Sequence, residues 1–238
     1  LRIPSLVSVL VKTHGLKQID ISRNHLEDTS AADLITALTS MSGLIYLVEI
    51  RLGGNLIGQK GCAALRKLLR HPACKIQLLC LNENSLDDTC MDVLYGGLVA
   101  NNSIKSIGLQ GQQFVTASGW GVFFDIFSNS ICSIERIQAS DNVVGDIGAI
   151  SLGDSLAVNN NLKRLNLRGV KSITLGGWRG LSKGLRSPHC LLLVLNISQC
   201  SVDDVAAVAT ASALAKNTSL KELDILTNIN ISSSGWIE

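Results

Sequence analysis

Apolar residues return along this chain in one frame, L-x-x-L-x-L, with polar positions between them at equally regular places. The frame is seen in "LKQIDISRN" from Leu16, "LVEIRLGGN" from Leu47, "IQLLCLNEN" from Ile76 and "IKSIGLQGQ" from Ile104. It returns in "IERIQASDN" from Ile134, "LKRLNLRGV" from Leu162, "LLVLNISQC" from Leu192 and "LKELDILTN" from Leu220. Successive starts are 28 to 31 residues apart, a fixed period of the kind that stacked repeats produce. The closing L-x-L is strand alternation, so Leu165 and Leu167 turn to one face and Asn166 to the other. Asn24, Asn55, Asn84, Asn142 and Asn228 follow the strand and can bond backbone groups at the turn, which predicts a ladder of buried amides. Gln112, Val170 and Cys200 take that place in their repeats, and Val170, whose side chain forms no hydrogen bond, predicts a local irregularity.

The second half of each repeat carries helical spacing. In "IGQKGCAALRKLLR" the core-facing set is Ala64, Leu65, Leu68 and Leu69. "TCMDVLYGGLVANN" repeats it with Val93, Leu94 and Leu98, and "DIGAISLGDSLAVNN" with Ile150, Leu152 and Leu156. A helix is about 10 Å across and neighbouring strands lie about 4.8 Å apart, so stacking such units predicts a horseshoe, strands on the concave side and helices outside. The fold class is therefore α/β, with a parallel sheet facing one way and helices the other. In a solenoid the core is a continuous ribbon, so residues 1–238 count as a single domain of about eight repeats. The opening "IPSLVSVLVKTHG" holds a short apolar run, Leu6 to Val11, that a signal-peptide core would also show. Its spacing before Leu16 matches that of Leu65, Leu68 and Leu69 before Ile76, which favours the outer helix of a preceding repeat. Neither end carries an atypical polar cap, so the chain is expected to be a segment of a longer solenoid.

Period, strand signature and outer helix together resemble the ribonuclease-inhibitor-like class of leucine-rich repeats over almost the whole chain. Within it, "LRHPACKIQLLCLNENSLDDTCMDVL" and "LRSPHCLLLVLNISQCSVDD" look like repeats of animal nucleotide-binding leucine-rich-repeat receptors, in which a His-Pro and a Cys precede the strand. "LVANNSIKSIGL", "LAVNNNLKRLNL" and "LAKNTSLKELDI" look like more general members, which include GTPase-activating proteins and ciliary or cytoskeletal scaffolds. The resemblance implies a protein-interaction scaffold or regulatory module. The alternative it implies is a regulator of the GTPase-activating or nucleotide-binding-receptor type.

Composition fits thin repeated layers, with 46% hydrophobic residues and 4% aromatic. A net charge of +2 gives no argument for nucleic acid or a membrane surface, and no apolar run approaches the roughly 20 residues of a spanning helix. Seven cysteines are scattered along the chain, which favours free thiols, a reducing compartment and an intracellular, cytoplasmic protein, with a cytoskeletal or ciliary assembly as a further setting. The sequons at Asn101, Asn196, Asn217 and Asn230 point the other way.

Chemical motifs are weak. "GLSKG", Gly180 to Gly184, matches the nucleophile-elbow string, but Ser182 falls in an outer helix. "GGNLIGQKG" has glycines like a phosphate loop, yet Gln59 separates Gly58 from Lys60 and no Ser or Thr follows. Cys74, Cys132 and Cys190 recur two repeats apart, at least about 10 Å by strand spacing, too far to share a zinc. They read as small buried hydrophobes, a sign that alternate repeats differ. His14 and His25 have no ligand partners at telling spacing, and Trp120 and Trp178 read as helix packing. No catalytic group, cofactor or metal site is expected.

Function then falls to the strand residues that alternate with the inward leucines. They form three columns, diverse and mostly polar. Arg136 and Arg164 stand in the first, Arg51, Gln138 and Asn166 in the second and Arg168 in the third. The open face suits a protein partner, and Arg136, Arg164 and Arg168 suit an acidic patch on it. Membership of a larger assembly is expected.

Overall fold

The computed structural model describes residues 3–10, 12–13, 15–40 and 44–235, with the side chains of 3–5 left out. Among these residues eight short strands form one parallel sheet in chain order: β1 (Gln18–Asp20), β2 (Glu49–Arg51), β3 (Leu78–Cys80), β4 (Ser106–Gly108), β5 (Arg136–Gln138), β6 (Arg164–Asn166), β7 (Val194–Asn196) and β8 (Glu222–Asp224). The register puts like positions side by side, Ile137 against Leu165 and Leu165 against Leu195. In β1 to β7 the middle residue is buried in the core, as its place in the frame requires, whereas Leu223 of the edge strand β8 is exposed. The sheet is open, with β1 and β8 as its edges.

Helices α1 (Ile3–Leu10), α2 (Asp28–Thr39), α3 (Gln59–Leu69), α4 (Asp88–Leu98), α5 (Ala117–Phe124), α6 (Gly145–Leu156), α7 (Leu175–Leu185) and α8 (Asp204–Leu214) alternate with the strands. α1 lies where the apolar run before Leu16 predicts an outer helix; Val11, the last residue of that run, lies outside the described residues. Ala64, Leu65, Leu68 and Leu69 are buried, as are Leu94 and Leu98. Ile150 is not; 42% of it is exposed, and Ala149, Leu152 and Leu156 take the buried face. The cause is helix spacing. A Cβ on Gly153 would come within 2.1 Å of the Gly180 carbonyl oxygen, and one on Gly184 within 2.1 Å of that of Gly153, so α6 and α7 meet backbone to backbone and Ile150 lies over Gly180.

The amide ladder forms. Asn84 donates to the carbonyls of Leu52 (3.0 Å) and Leu81 (2.9 Å) and accepts from the Ile57 amide (3.0 Å), joining two repeats. Asn55, Asn142 and Asn228 do likewise. Asn24 is the exception: it is exposed and bonds its own turn at Ser22, because β1 is the first strand and offers no rung on that side. Gln112 reaches the Leu81 carbonyl in place of Asn, and the Cys200 thiol points to that of Leu167. At Val170 the irregularity is real: its amide folds back on the Leu167 carbonyl at 3.1 Å. The residue before each rung is left-handed in all eight repeats, at Arg23, Gly54, Glu83, Gly111, Asp141, Gly169, Gln199 and Thr227. Three of these are glycines, which take that conformation without the strain a side chain brings.

Alternate repeats differ by more than their cysteines. Asp88 of α4 reaches forward to the Thr116 amide (2.7 Å) and hydroxyl (2.6 Å) ahead of α5. Asp146 does the same for Thr174 ahead of α7, and Asp204 for Ser232. Asp28 bonds the amides of Gly58, Lys60 and Gly61 at the start of α3. Those of Asp28, Asp88 and Asp146 each cap the helix of the next repeat. Gly119, Gly177 and Gly235 stand where a Cβ would strike that carboxylate. The return loops alternate too, Cys74, Cys132 and Cys190 against Asn101, Asn159 and Asn217, whose amides hold the preceding repeat.

Candidate functional site

The strand face carries the candidate residues because the one-in, one-out alternation leaves no other direction for them. Arg136 and Arg164 are register partners on β5 and β6, so their side chains stand on neighbouring strands, about 4.8 Å apart at the backbone. Both are exposed, and Arg168 is exposed two residues beyond β6. None of the three has a carboxylate within ion-pair distance among the described residues. The nearest acid in sequence, Glu135, is already shared by Lys163 at 3.0 Å and Lys105 at 3.7 Å, which hold its carboxyl below the ordinary range. The face therefore keeps three unneutralised guanidinium groups.

Gln138 and Asn166 sit beside the arginines but are engaged with each other. The Asn166 amide nitrogen donates to the Gln138 side-chain oxygen at 2.7 Å, and the Asn166 oxygen accepts the Arg168 backbone amide at 2.9 Å. Asn166 thereby fixes where Arg168 leaves the strand. Asp20, Asn196 and Asp224 play the same part at their own strand ends, and the Ser22 amide and hydroxyl hold the Asp20 carboxyl below its usual value. The third column is not uniformly open: Ser140 and Ser198 are buried, Ser198 against Asn196. Arg51 is set apart, three strands away on β2 and ion-paired with Glu49, which raises its pKa above the ordinary value. The structure thus gathers Arg136, Arg164, Arg168, Gln138 and Asn166 and leaves Arg51 out.

The motifs set aside on spacing fall where spacing put them. Ser182 lies within α7. The amides that a phosphate loop would offer at Gly58, Lys60 and Gly61 are taken by Asp28. All seven cysteines are free thiols and, apart from Cys80, buried. Among the described residues no group of His, Cys, Asp or Glu is arranged to hold a metal; His14 lies outside them. The sequon residue Asn101 is buried, with its amide bonded to the Leu69 carbonyl, so it has no room for a glycan. No helix among the described residues is long and apolar enough to cross a membrane.

Sequence reasoning missed the forward-capping carboxylates. A signal for them exists: Thr116-x-x-Gly119-Trp120, Thr174-x-x-Gly177-Trp178 and Ser232-x-x-Gly235-Trp236 recur at every second repeat. Trp120 and Trp178 are buried in α5 and α7; Trp236 lies outside the described residues.

No family model matches the chain. It is 31% identical over 206 residues to the human NACHT, LRR and PYD domains-containing protein 12, a match that covers 87% of this chain and 19% of that protein. It is 26% identical over 251 residues to the human NACHT, LRR and PYD domains-containing protein 3, covering 94% of this chain and 24% of the relative. The chain spans about a fifth to a quarter of the length of these relatives. Among solved structures it is similar to the tropomodulin C-terminal domain of Caenorhabditis elegans, at 15% identity and a TM-score of 0.47, over 78% of this chain and 92% of that one.

Proposed function

The chain is a leucine-rich-repeat solenoid, a repeat module of the protein-interaction or regulatory kind, and we infer that its strand face binds a protein partner through Arg136, Arg164 and Arg168. The observation that carries the reading is three exposed arginines, two on adjacent strands and one just beyond β6, with no carboxylate among the described residues to neutralise them. The partner presents an acidic patch, since each guanidinium takes a carboxylate bidentately and the open sheet encloses no small molecule. Gln138 and Asn166 act as the floor that orients Arg168, and Arg51 contributes little. The module is non-catalytic, and its buried free thiols support an intracellular setting.

The relatives' names support a second reading on a larger scale. They carry NACHT and PYD domains besides the repeats, and a chain that spans about a fifth to a quarter of them fits the repeat portion of such a regulator. Both readings meet in one experiment. The chain and an Arg136→Glu, Arg164→Glu, Arg168→Glu variant, matched by circular dichroism, are used side by side to capture partners from the native source. A partner retained by the first and lost by the second, with binding that weakens as salt rises, is the expected result. Equal capture by both places binding elsewhere and ends the strand-face reading.

A further inference from the structure

On the helix side, away from the strand face, an open cleft of about 350 Å³ runs between α7 and α8. Arg179, Lys183 and Arg186 line one wall at i, i+4 and i+7, a single stripe that runs along α7 to its C-cap, and Lys216 closes the end just beyond α8. The facing wall is made of Ala209, Ser212 and Ala213, whose small side chains leave the space open. Among the described residues no carboxylate lines it. Lys183 meets Asp154 at 3.0 Å at the exposed rim, and among the described residues Arg179, Arg186 and Lys216 have no ion-pair partner. Helix C-termini favour cations, which accounts for Arg186 and Lys216 but not for Arg179.

The second observation is Ser182. It lines the same cleft, is 6% exposed, and its hydroxyl has no hydrogen-bond partner among the described residues. A serine inside a helix ordinarily returns its hydroxyl to the carbonyl one turn back, and a buried hydroxyl left unpaired is destabilising. Three cations without an ion-pair partner and a fourth shared with Asp154 line a cleft whose floor holds a hydroxyl that lacks an acceptor, which describes a site for an anion with several oxygens.

We propose that this cleft binds a compact polyanion carrying two or more phosphate groups. The guanidinium forks of Arg179 and Arg186 take phosphate oxygens in pairs, Lys216 and Lys183 add point charge, and the Ser182 hydroxyl turns to the innermost oxygen. A soluble organic phosphate and a phosphorylated lipid headgroup share this chemistry.

The test is calorimetric titration of the 238-residue chain with inorganic pyrophosphate at low salt. Native chain binds, Arg179→Glu/Arg186→Glu binds at least about tenfold more weakly, and Lys216→Glu, which lies outside the helices, weakens binding in the same direction. Ser182→Ala has a smaller effect, and the strand-face triple variant binds as the native chain does. Sedimentation with phosphatidylcholine vesicles containing a phosphoinositide separates the sources. Vesicle binding competed by pyrophosphate identifies a headgroup, and pyrophosphate binding without vesicle binding identifies a soluble phosphate. Absence of pyrophosphate binding by the native chain, binding that survives the cleft variants, or loss of binding in the strand-face variant overturns the proposal.

Discussion

Asp146 acts outside its own repeat. Its carboxylate takes the Thr174 amide and hydroxyl at the start of α7, while the Thr174 hydroxyl accepts from the Gly176 amide, so the cap of α7 is anchored in the repeat before it. Asp146→Ala is expected to lose about 1 to 2 kcal/mol, the usual worth of a helix cap, in urea unfolding. Thr174→Val should lose a similar amount, and the double variant less than the sum, since both break one interaction. The pH dependence has a definite sign. Burial pushes the Asp146 carboxyl up, but the bonds from Thr174 and the Gly177 amide outweigh it and leave the group below its ordinary value. A pKa depressed by folding gives stability that is complete above the unfolded value of about 3.9 and is lost as pH falls through the lower folded value. The urea midpoint of the native chain should therefore fall more steeply between about pH 5 and pH 2 than that of Asp146→Asn. Parallel curves would assign the carboxylate no stabilising part.

The α6–α7 contact shows why element-level reasoning reached some residues and missed others. Periodicity placed the helices and most of their buried faces, because a 3.6-residue stripe is written in the order of apolar residues. It misassigned Ile150, because the distance between two helices is set by the residue that is smallest where they cross. Here that residue is glycine on both sides, Gly153 against Gly180 and Gly184. In an isolated helix Gly→Ala gains about 1 kcal/mol. At Gly153 the new methyl would meet backbone at 2.1 Å, which has no rotamer to yield, so the helices must separate. Gly153→Ala is expected to lose about 1 to 3 kcal/mol in thermal unfolding, as overpacked cores do. Gly96→Ala is the control: its Cβ would meet only the end of the Arg66 side chain at 3.3 Å, and the variant should be neutral or slightly stabilised. A stabilised Gly153→Ala would mean that α6 and α7 are not locked by this crossing. The 3-10 segments Leu44–Tyr46 and Asp125–Ser128 were equally illegible. The second belongs to a cluster in which Phe124 lies 5.2 Å from Trp120 and 6.3 Å from Phe127, a packing solution that sequence spacing does not encode.

Across the whole molecule the sheet order follows the chain order, so each repeat touches only its neighbours and stability is close to a sum of local terms. That regularity made the strand face legible: one frame, repeated, assigns every outward position at once. It could not say which outward side chains are already occupied, and Asn166 and Gln138, bound to each other, read from sequence as no different from free ones. The same linearity makes a prediction that a compact globular core would not. Leu165 is buried in the middle of β6, and Leu165→Asp, which leaves a charge with no partner there, should open β6 and its neighbours before the rest of the stack. Leu165→Ala, at about 2 to 5 kcal/mol, gives a milder form if the first variant does not fold. The cysteines report the location. Cys132, Cys190 and Cys200 lie in the repeats around β6, whereas Cys62 and Cys90 lie in α3 and α4, and all five are buried. With a thiol reagent the native chain should expose Cys80 alone, and peptide mapping of either variant should find Cys132, Cys190 and Cys200 labelled well before Cys62 and Cys90. Equal labelling rates at all five sites would mean that the chain opens as one cooperative block, and that its repeats are not the units in which it comes apart.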